Sequence, residues 1–236
     1  MTRFERLFEW AGGAAFAGSL GFWAWWYLVA LRRLQPWTGW RAVVCDTLLF
    51  AAFSAHHSGF ARDAAKRSLA PIPRRLLRSV YVWIASILLV LVLVLWRAVG
   101  GLLYDMSGPS AVLSAAMQLG GVWMIARAVA KIDALELAGI HAAGETKSAP
   151  PQTAVREPLQ ITGPYKWVRH PIYLGWMLMV FGAPRMTGDR FVFAVISSFY
   201  LVIAVPWEER SLMQTFGDEY TRYKQHVRWR IVPYVY

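Results

Sequence analysis

The chain has one cysteine, Cys45, in 236 residues. That excludes an internal disulfide and any cysteine-built metal cluster. It is also short of charge: Asp, Glu, Lys and Arg make up 17% of the residues, against about 25% in a soluble domain. No polar stretch is long enough for a separate soluble catalytic domain, so any chemistry takes place in or at a bilayer. Acidic residues are scarce, 14 against 25 Lys and Arg, for a formal net charge of +11. In a soluble protein that excess would suggest nucleic acid. Here the basic residues stand between apolar runs, where the positive-inside rule accounts for them, and nucleic-acid binding is excluded. What the chain does have is apolar surface: 57% hydrophobic residues and 13 Trp, with a mean hydropathy of +0.36. Lipid is the solvent for such a composition.

A bilayer core about 30 Å thick takes roughly 20 helical residues to cross. Six apolar runs approach that length: Trp10 to Leu31, Ala42 to Phe60, Ser79 to Trp96, Pro109 to Ala130, Pro171 to Ala183 and Phe191 to Trp207. The first ends in Arg32 and Arg33 without a small-residue cleavage site, so it reads as a span rather than a signal peptide. With the amino terminus inside, the segments 1–9, 61–78, 127–170 and 208–236 are cytoplasmic and hold 19 of the 25 Lys and Arg. Both termini are therefore expected in the cytoplasm. The last two runs are short, about 20 and 25 Å at 1.5 Å per residue. They predict a tight helical hairpin turning at Pro184 to Asp189, its cytoplasmic end extended by the flanking motifs. The expected fold is all-α: a polytopic membrane helical bundle of about six transmembrane helices, closed by this C-terminal hairpin and an amphipathic tail. Residues 1–143 would carry four spans, 144–160 a Pro-rich cytoplasmic linker, and 161–236 the hairpin and tail.

Two strings carry the chemistry. The first, G-P-Y-K-W-V-R-H-P-I-Y-L-G from Gly163, presents Tyr165 from a turn and sets Arg169 and His170 at the membrane boundary. Pro171 suits the first turn of a helix, where its missing N–H costs nothing. Tyr173 and Gly175 then offer a bulky ring beside a gap that could admit a flat ligand. Alone, these residues would serve equally as an interfacial anchor. The second string, W-E-E-R-S-L-M-Q-T-F-G-D-E-Y-T-R-Y from Trp207, puts Glu208 and Glu209 directly after an apolar run. A carboxylate at that depth is costly unless it meets a cation or donors. Neighbouring helical residues point about 100° apart, so one glutamate could face a ligand while the other pairs with Arg169 or Arg210. A solvated helix end is the bland alternative.

Together the strings resemble the carboxy-terminal signature of a superfamily of membrane methyltransferases, which includes the isoprenylcysteine carboxyl methyltransferases and the phospholipid methyltransferases. Short strings in the first half, H-S-G-F-A-R from His57, R-S-V-Y-V from Arg78 and I-D-A-L-E-L-A-G-I from Ile132, resemble the branch that holds the methanethiol S-methyltransferases and NnrU-type proteins. The resemblance implies S-adenosylmethionine as cofactor, bound by Tyr165, Arg169, His170, Tyr173, Gly175, Glu208 and Glu209. Arg169 and His170 would hold its carboxylate end, a glutamate its amino or ribose groups, and Tyr165 or Tyr173 its adenine or sulfonium. The acceptor would be a small molecule or one partitioned into lipid, with methanethiol the leading candidate. The setting would be a bacterial inner membrane with lipid as the surrounding partner. A thiol acceptor reacts as its thiolate, and His57, Tyr81 and Asp133 are the catalytic candidates for activating it. A histidine in an apolar helix is otherwise a packed, hydrogen-bonded residue, and Asp133 could equally pair with Lys131 or Arg127.

His56 and His57 diverge on a helix, unlike an i, i+4 metal pair, so no metal is expected. Nor is there a glycine-rich loop in a βαβ unit, as a soluble nucleotide-binding enzyme would have. Gly120 and Gly121 read as helix packing, as do Gly100 and Gly101. The alternatives are an isoprenylcysteine-type or phospholipid acceptor, a membrane NADPH-dependent reductase of similar C-terminal architecture, and a non-enzymatic NnrU-like protein. Against reduction, Ile172 follows R-H-P where those reductases usually have Asn. No feature of the sequence specifies an oligomeric state.

Overall fold

A computed structural model describes residues 2–60, 73, 76–132, 138, 140 and 158–236. Among them are seven α-helices: α1 (Arg3–Trp25), α2 (Trp40–Phe60), α3 (Leu77–Leu95), α4 (Gly108–Val129), α5 (Pro171–Phe181), α6 (Gly188–Phe216) and α7 (Asp218–His226). Three of these, α3, α4 and α6, are long and apolar enough to cross a membrane. The opening turns of α1 carry Arg3, Glu5, Arg6 and Glu9. Its start is fixed by a capping box, in which Thr2 accepts from the Glu5 N–H and Glu5 accepts from the Thr2 N–H.

Two features bear on the sequence expectation. The second arm of the hairpin, expected to extend past its apolar run through the flanking motif, does so as one unbroken helix: α6 runs 29 residues, through Pro206 and both glutamates, to Phe216. The fold is not purely helical, however, since β1 (Leu102–Asp105) and β2 (Arg185–Thr187) form a two-stranded antiparallel sheet. Leu102 pairs with Thr187 and Asp105 with Arg185, so the predicted turn at Pro184 to Asp189 is strapped to the loop before α4.

That end of the bundle is built on buried charge. The Asp189 carboxylate accepts from Trp96 Nε1 at 3.1 Å and from the backbone N–H groups of Val99 and Gly100 at 2.8 and 2.9 Å. Next to it, Arg190 donates to the carbonyls of Tyr27, Leu28 and Arg185. Residues Trp26–Ala30 form a π turn at the end of α1, and the guanidinium satisfies the carbonyls that such a turn leaves open. Gly100 has φ +72°, and a Cβ there would collide with the Pro36 carbonyl. Gly100 therefore serves a loop crossing, not the helix packing expected from its place beside a span.

The core gathers around Phe193 of α6, whose ring meets Trp23, Trp26, Tyr27, Phe50, Trp96 and Trp176 at centroid distances of 5.3 to 6.4 Å. The tryptophans of the first run divide: Trp26 is buried, whereas Trp25 is exposed.

Helix α5 is short, about 16 Å for its 11 residues, and lies along α4. Gly121 and Gly175 let the two backbones touch, Gln118 Nε2 donates to the Met179 carbonyl at 3.0 Å, and Ser114 donates to the Gly182 carbonyl at 3.0 Å. Small residues with interhelical hydrogen bonds are how helices associate in lipid. Gly175 is thereby corrected as a cofactor residue. A Cβ at that position would stand 2.8 Å from both the Gly121 carbonyl oxygen and Ile125, so the gap it leaves is filled by α4, not by a ligand. Gly175→Ala is expected to lower thermal stability in detergent by roughly 1–3 kcal/mol, the usual cost of overpacking. Gly120→Ala, which meets open space, is the control and should cost nothing. Equal melting temperatures for the two variants would remove the packing role.

Candidate functional site

The R-H-P corner sits where the 3-10 turn Gly163–Lys166 leads into α5. Pro171 occupies the first helical turn, with His170 as the residue before it. The chain after α7 returns to this corner, so that the N–H groups of Arg169 and His170 donate to the carbonyls of Trp229 and Arg230 at 2.9 and 2.8 Å. The tail is therefore a wall of the site.

The glutamates divide as their helical geometry requires. Glu209, buried, takes Arg169 Nε on Oε1 at 2.6 Å and Arg230 Nε on Oε2 at 3.3 Å. Arg169 also donates from one terminal nitrogen to the carbonyls of Val227 and Arg228 at 2.8 and 2.7 Å. These bonds tie α5, α6 and the tail into one unit. Arg169 thus spends its Nε and one terminal nitrogen on Glu209 and the tail while still lining the hollow. Arg210, the other partner considered for Glu209, lies over the Trp207 ring instead.

Glu208 faces the opposite way. Its Oε2 accepts from the Tyr173 hydroxyl at 2.6 Å and stands 3.5 Å from His170 Nδ1. Protein encloses it on most sides, yet its side chain keeps 45% of its surface, as befits a group on the wall of an open hollow. His170 stacks on Tyr173 at 5.3 Å, and its Nε2 lies 3.5 Å from Glu209 Oε1. It bridges the two carboxylates at ion-pair distance, too long for a good hydrogen bond.

The hollow has a volume of about 290 Å³, near the lower end of small-molecule sites, roughly 300–1,000 Å³. Its polar wall is Tyr165, Arg169, His170, Tyr173 and Glu208, and its apolar wall includes Leu212, Phe216, Tyr220 and Tyr223. The tail tyrosines, Leu212 and Phe216 were not read as site residues from the sequence. The signal was present: Glu208, Leu212 and Phe216 recur at i, i+4 and i+8, one face of a helix. Tyr223 donates to the Tyr165 carbonyl at 2.7 Å and so fixes the turn that carries Tyr165. Burial, reinforced by the Glu208 carboxylate, pushes the Tyr165 phenol up to about 12, so it is a neutral donor throughout the working range.

Two buried polar atoms on this wall, His170 Nε2 and the Tyr220 hydroxyl, have no hydrogen-bond partner among the described residues. Both lie on the Glu209 side of the wall: His170 Nε2 is at ion-pair distance from Glu209 Oε1, and the Tyr220 phenol is in the field of the same carboxylate.

Burial lowers the His170 pKa, but the two carboxylates overcome it and raise it above its ordinary 6.5. The charged ring is then in place below the ordinary histidine range, and its attraction to both glutamates fades as pH rises through the raised value. Thermal stability of the C-terminal unit is therefore expected to fall in the wild type as pH rises through the raised histidine value. In His170→Gln that decline should be absent; identical pH profiles for the two proteins would contradict the bridge.

The other candidates stand elsewhere. His57 of α2 and Tyr81 of α3 meet, the Tyr81 hydroxyl lying 2.6 Å from His57 Nδ1, and the ring of neighbouring His56 stacks on Tyr81. This pair is within electrostatic range of Glu208 and Tyr173 but is not among the residues that line the hollow. Asp133 lies outside the described residues. Among those described, no group of three or more His, Cys, Asp or Glu side chains is placed to hold a metal ion.

Residues 110–219 match the phospholipid methyltransferase family model. A methanethiol S-methyltransferase from Bradyrhizobium diazoefficiens is 33% identical over 79% of this chain and 65% of its own length. A Pseudomonas methanethiol S-methyltransferase is 33% identical over 79% of this chain and 72% of its own, and one from Mycobacterium tuberculosis is 31% identical over 79% and 77%. No solved structure matches the chain. The chain belongs to this family of membrane methyltransferases, whose members take a methyl group from a donor. Its similarity is to relatives named for methanethiol S-methylation.

Proposed function

We propose that the protein transfers a methyl group from S-adenosylmethionine to methanethiol, giving dimethyl sulfide. The observation that carries the donor half is the hollow between the R-H-P corner and the second glutamate string. An accessible carboxylate, Glu208, stands there with the His170 imidazole and the Tyr165 and Tyr173 rings around a space closed by Leu212, Phe216, Tyr220 and Tyr223. Such a wall fits a cofactor that has ammonium and ribose donors, a carboxylate and a flat base. Glu208 would accept from the cofactor's donors, His170 would face its carboxylate, and Tyr165, Tyr173 and Tyr220 would pack on its adenine or its cationic sulfur, a contact worth about 0.5–2 kcal/mol. When bound, this cofactor supplies an electrophilic methyl group on a sulfonium centre.

The acceptor half rests on the relatives' names and on His57 with Tyr81. With His57 Nδ1–H donating to the Tyr81 oxygen, Nε2 keeps a lone pair to take the thiol proton. The thiolate sulfur then forms its bond to the methyl carbon as the bond to the donor sulfur breaks, and the proton remains on His57. Alignment of donor and acceptor supplies most of the acceleration.

The remaining organisation is part of the same reading. Helices α1 and α2 would cross with α3, α4 and α6, the short α5 would enter the bilayer as one arm of the hairpin with α6 to complete about six membrane segments, both termini and the hollow would face the cytoplasm, and the membrane would be a bacterial inner membrane. Residues 1–143 would form the acceptor-side bundle and 161–236 the donor-side unit, joined by the 144–160 linker. Incubating the purified protein with methyl-labelled S-adenosylmethionine and methanethiol tests the reaction. Labelled dimethyl sulfide is expected; label appearing only in lipid would assign a phospholipid acceptor instead.

A further inference from the structure

Beside His57, between α2 and α6, stands a polar pair with no part in the steps above. The hydroxyls of Ser58 and Tyr200 lie 3.0 Å apart and join α2 to α6. The Tyr200 ring meets the His57 ring nearly edge-on, at 6.4 Å and 73°. On its other face His57 stacks against Phe53 at 5.8 Å, and Phe50 closes the back of Tyr200 at 6.2 Å. The imidazole is therefore set by three contacts: Tyr81 at its nitrogen, Phe53 on its face and Tyr200 at its edge. It nevertheless keeps exposed surface, so a small apolar thiol dissolved in the bilayer can reach it without passing through the hollow.

Tyr200 precedes Glu208 by eight residues on the same continuous helix, about 12 Å along its axis. Helix α6 thus bears the donor-side carboxylate at one point and the acceptor-side contact at another. Any slip of α2 against α6 would change the distance between acceptor and donor, and an ångström of misplacement is enough to cost a transfer reaction heavily.

We propose that Tyr200, held by Ser58, is a positioning residue that fixes the His57 imidazole in register with Glu208, so that a small thiol from the lipid phase meets the methyl group in line. This rests on the methyltransferase reading given above. The pair does not touch the hollow, so donor binding and acceptor chemistry should separate.

The test uses the full-length protein in nanodiscs, with Tyr200→Phe, Ser58→Ala, the double variant and Ser58→Thr. S-adenosylmethionine affinity is measured by calorimetry, and kcat, KM for methanethiol and the pH profile by dimethyl sulfide release. Tyr200→Phe and Ser58→Ala are each expected to lower kcat about tenfold, the scale of one lost hydrogen bond, and to move the pH limb of kcat, with donor affinity within about twofold. The double variant should be no worse than either single one, because the residues act as a unit, and Ser58→Thr should restore most of the rate. A kcat and pH profile unchanged in both single variants would overturn the proposal. So would a parallel loss of donor affinity, or losses that multiply in the double variant. Failure of the wild type itself to bind S-adenosylmethionine would instead refute the underlying reading.

Discussion

Glu208→Gln is expected to weaken S-adenosylmethionine binding about ten- to hundredfold, since a hydrogen bond to a charged group is worth about 1.5–3 kcal/mol. Membrane expression and thermal stability should stay close to wild type. The glutamine amide oxygen can still accept from the Tyr173 hydroxyl, now 2.6 Å from Glu208 Oε2, and the side chain keeps access to solvent. Isothermal titration of the detergent-purified variant measures the effect. Affinity equal to wild type would mean that the carboxylate does not touch the donor.

Arg169→Ala should do the reverse, unfolding the site before it alters recognition. Its side chain is 7% accessible, and its removal takes from buried Glu209 the nearer of its two arginines and leaves the Val227 and Arg228 carbonyls without their donor. Breaking a buried ion pair from one side costs about 3–5 kcal/mol. The C-terminal unit is expected to become protease-sensitive and to melt at lower temperature, with donor binding lost as a consequence. Arg169→Lys should recover little, because an ammonium cannot reproduce the guanidinium fork. Removing Glu209 as well, in Arg169→Ala/Glu209→Ala, should recover part of the stability, since a buried carboxylate left with only the longer Arg230 contact is gone. Limited proteolysis with thermal melts decides this: a folded, stable Arg169→Ala protein that merely binds donor weakly would restore Arg169 to the role of a direct cofactor ligand.

The site was more legible in the sequence than the helices that carry it. Pro171 after His170 could be placed at a helix start because proline's ring geometry allows little else. The division of labour between Glu208 and Glu209 followed from 3.6 residues per turn. How far α6 runs was legible only in part. Glu and Arg after Trp207 look like the end of an apolar span, but ion pairing of Glu209 with Arg169 and Arg230, and the Tyr173 bond to Glu208, allow the helix to continue to Phe216. Gly175 shows another limit. A sequence reveals a gap in a helix surface but not what fills it, and here it is filled by Gly121. The β1–β2 strap was invisible because strands of four and three residues leave no alternating pattern to read. Tyr200 sat unremarked in an apolar run, where an aromatic residue has no distinguishing neighbours until α2 is packed against it.

The central claim is that the R-H-P corner and the second glutamate string make a site for a sulfonium methyl donor. The direct test is calorimetric titration of the purified wild-type protein with S-adenosylmethionine, its demethylated product and NADPH in parallel. Saturable binding of both sulfur compounds, with no heat from NADPH, is the predicted result. Binding of NADPH with neither sulfur compound would contradict the account.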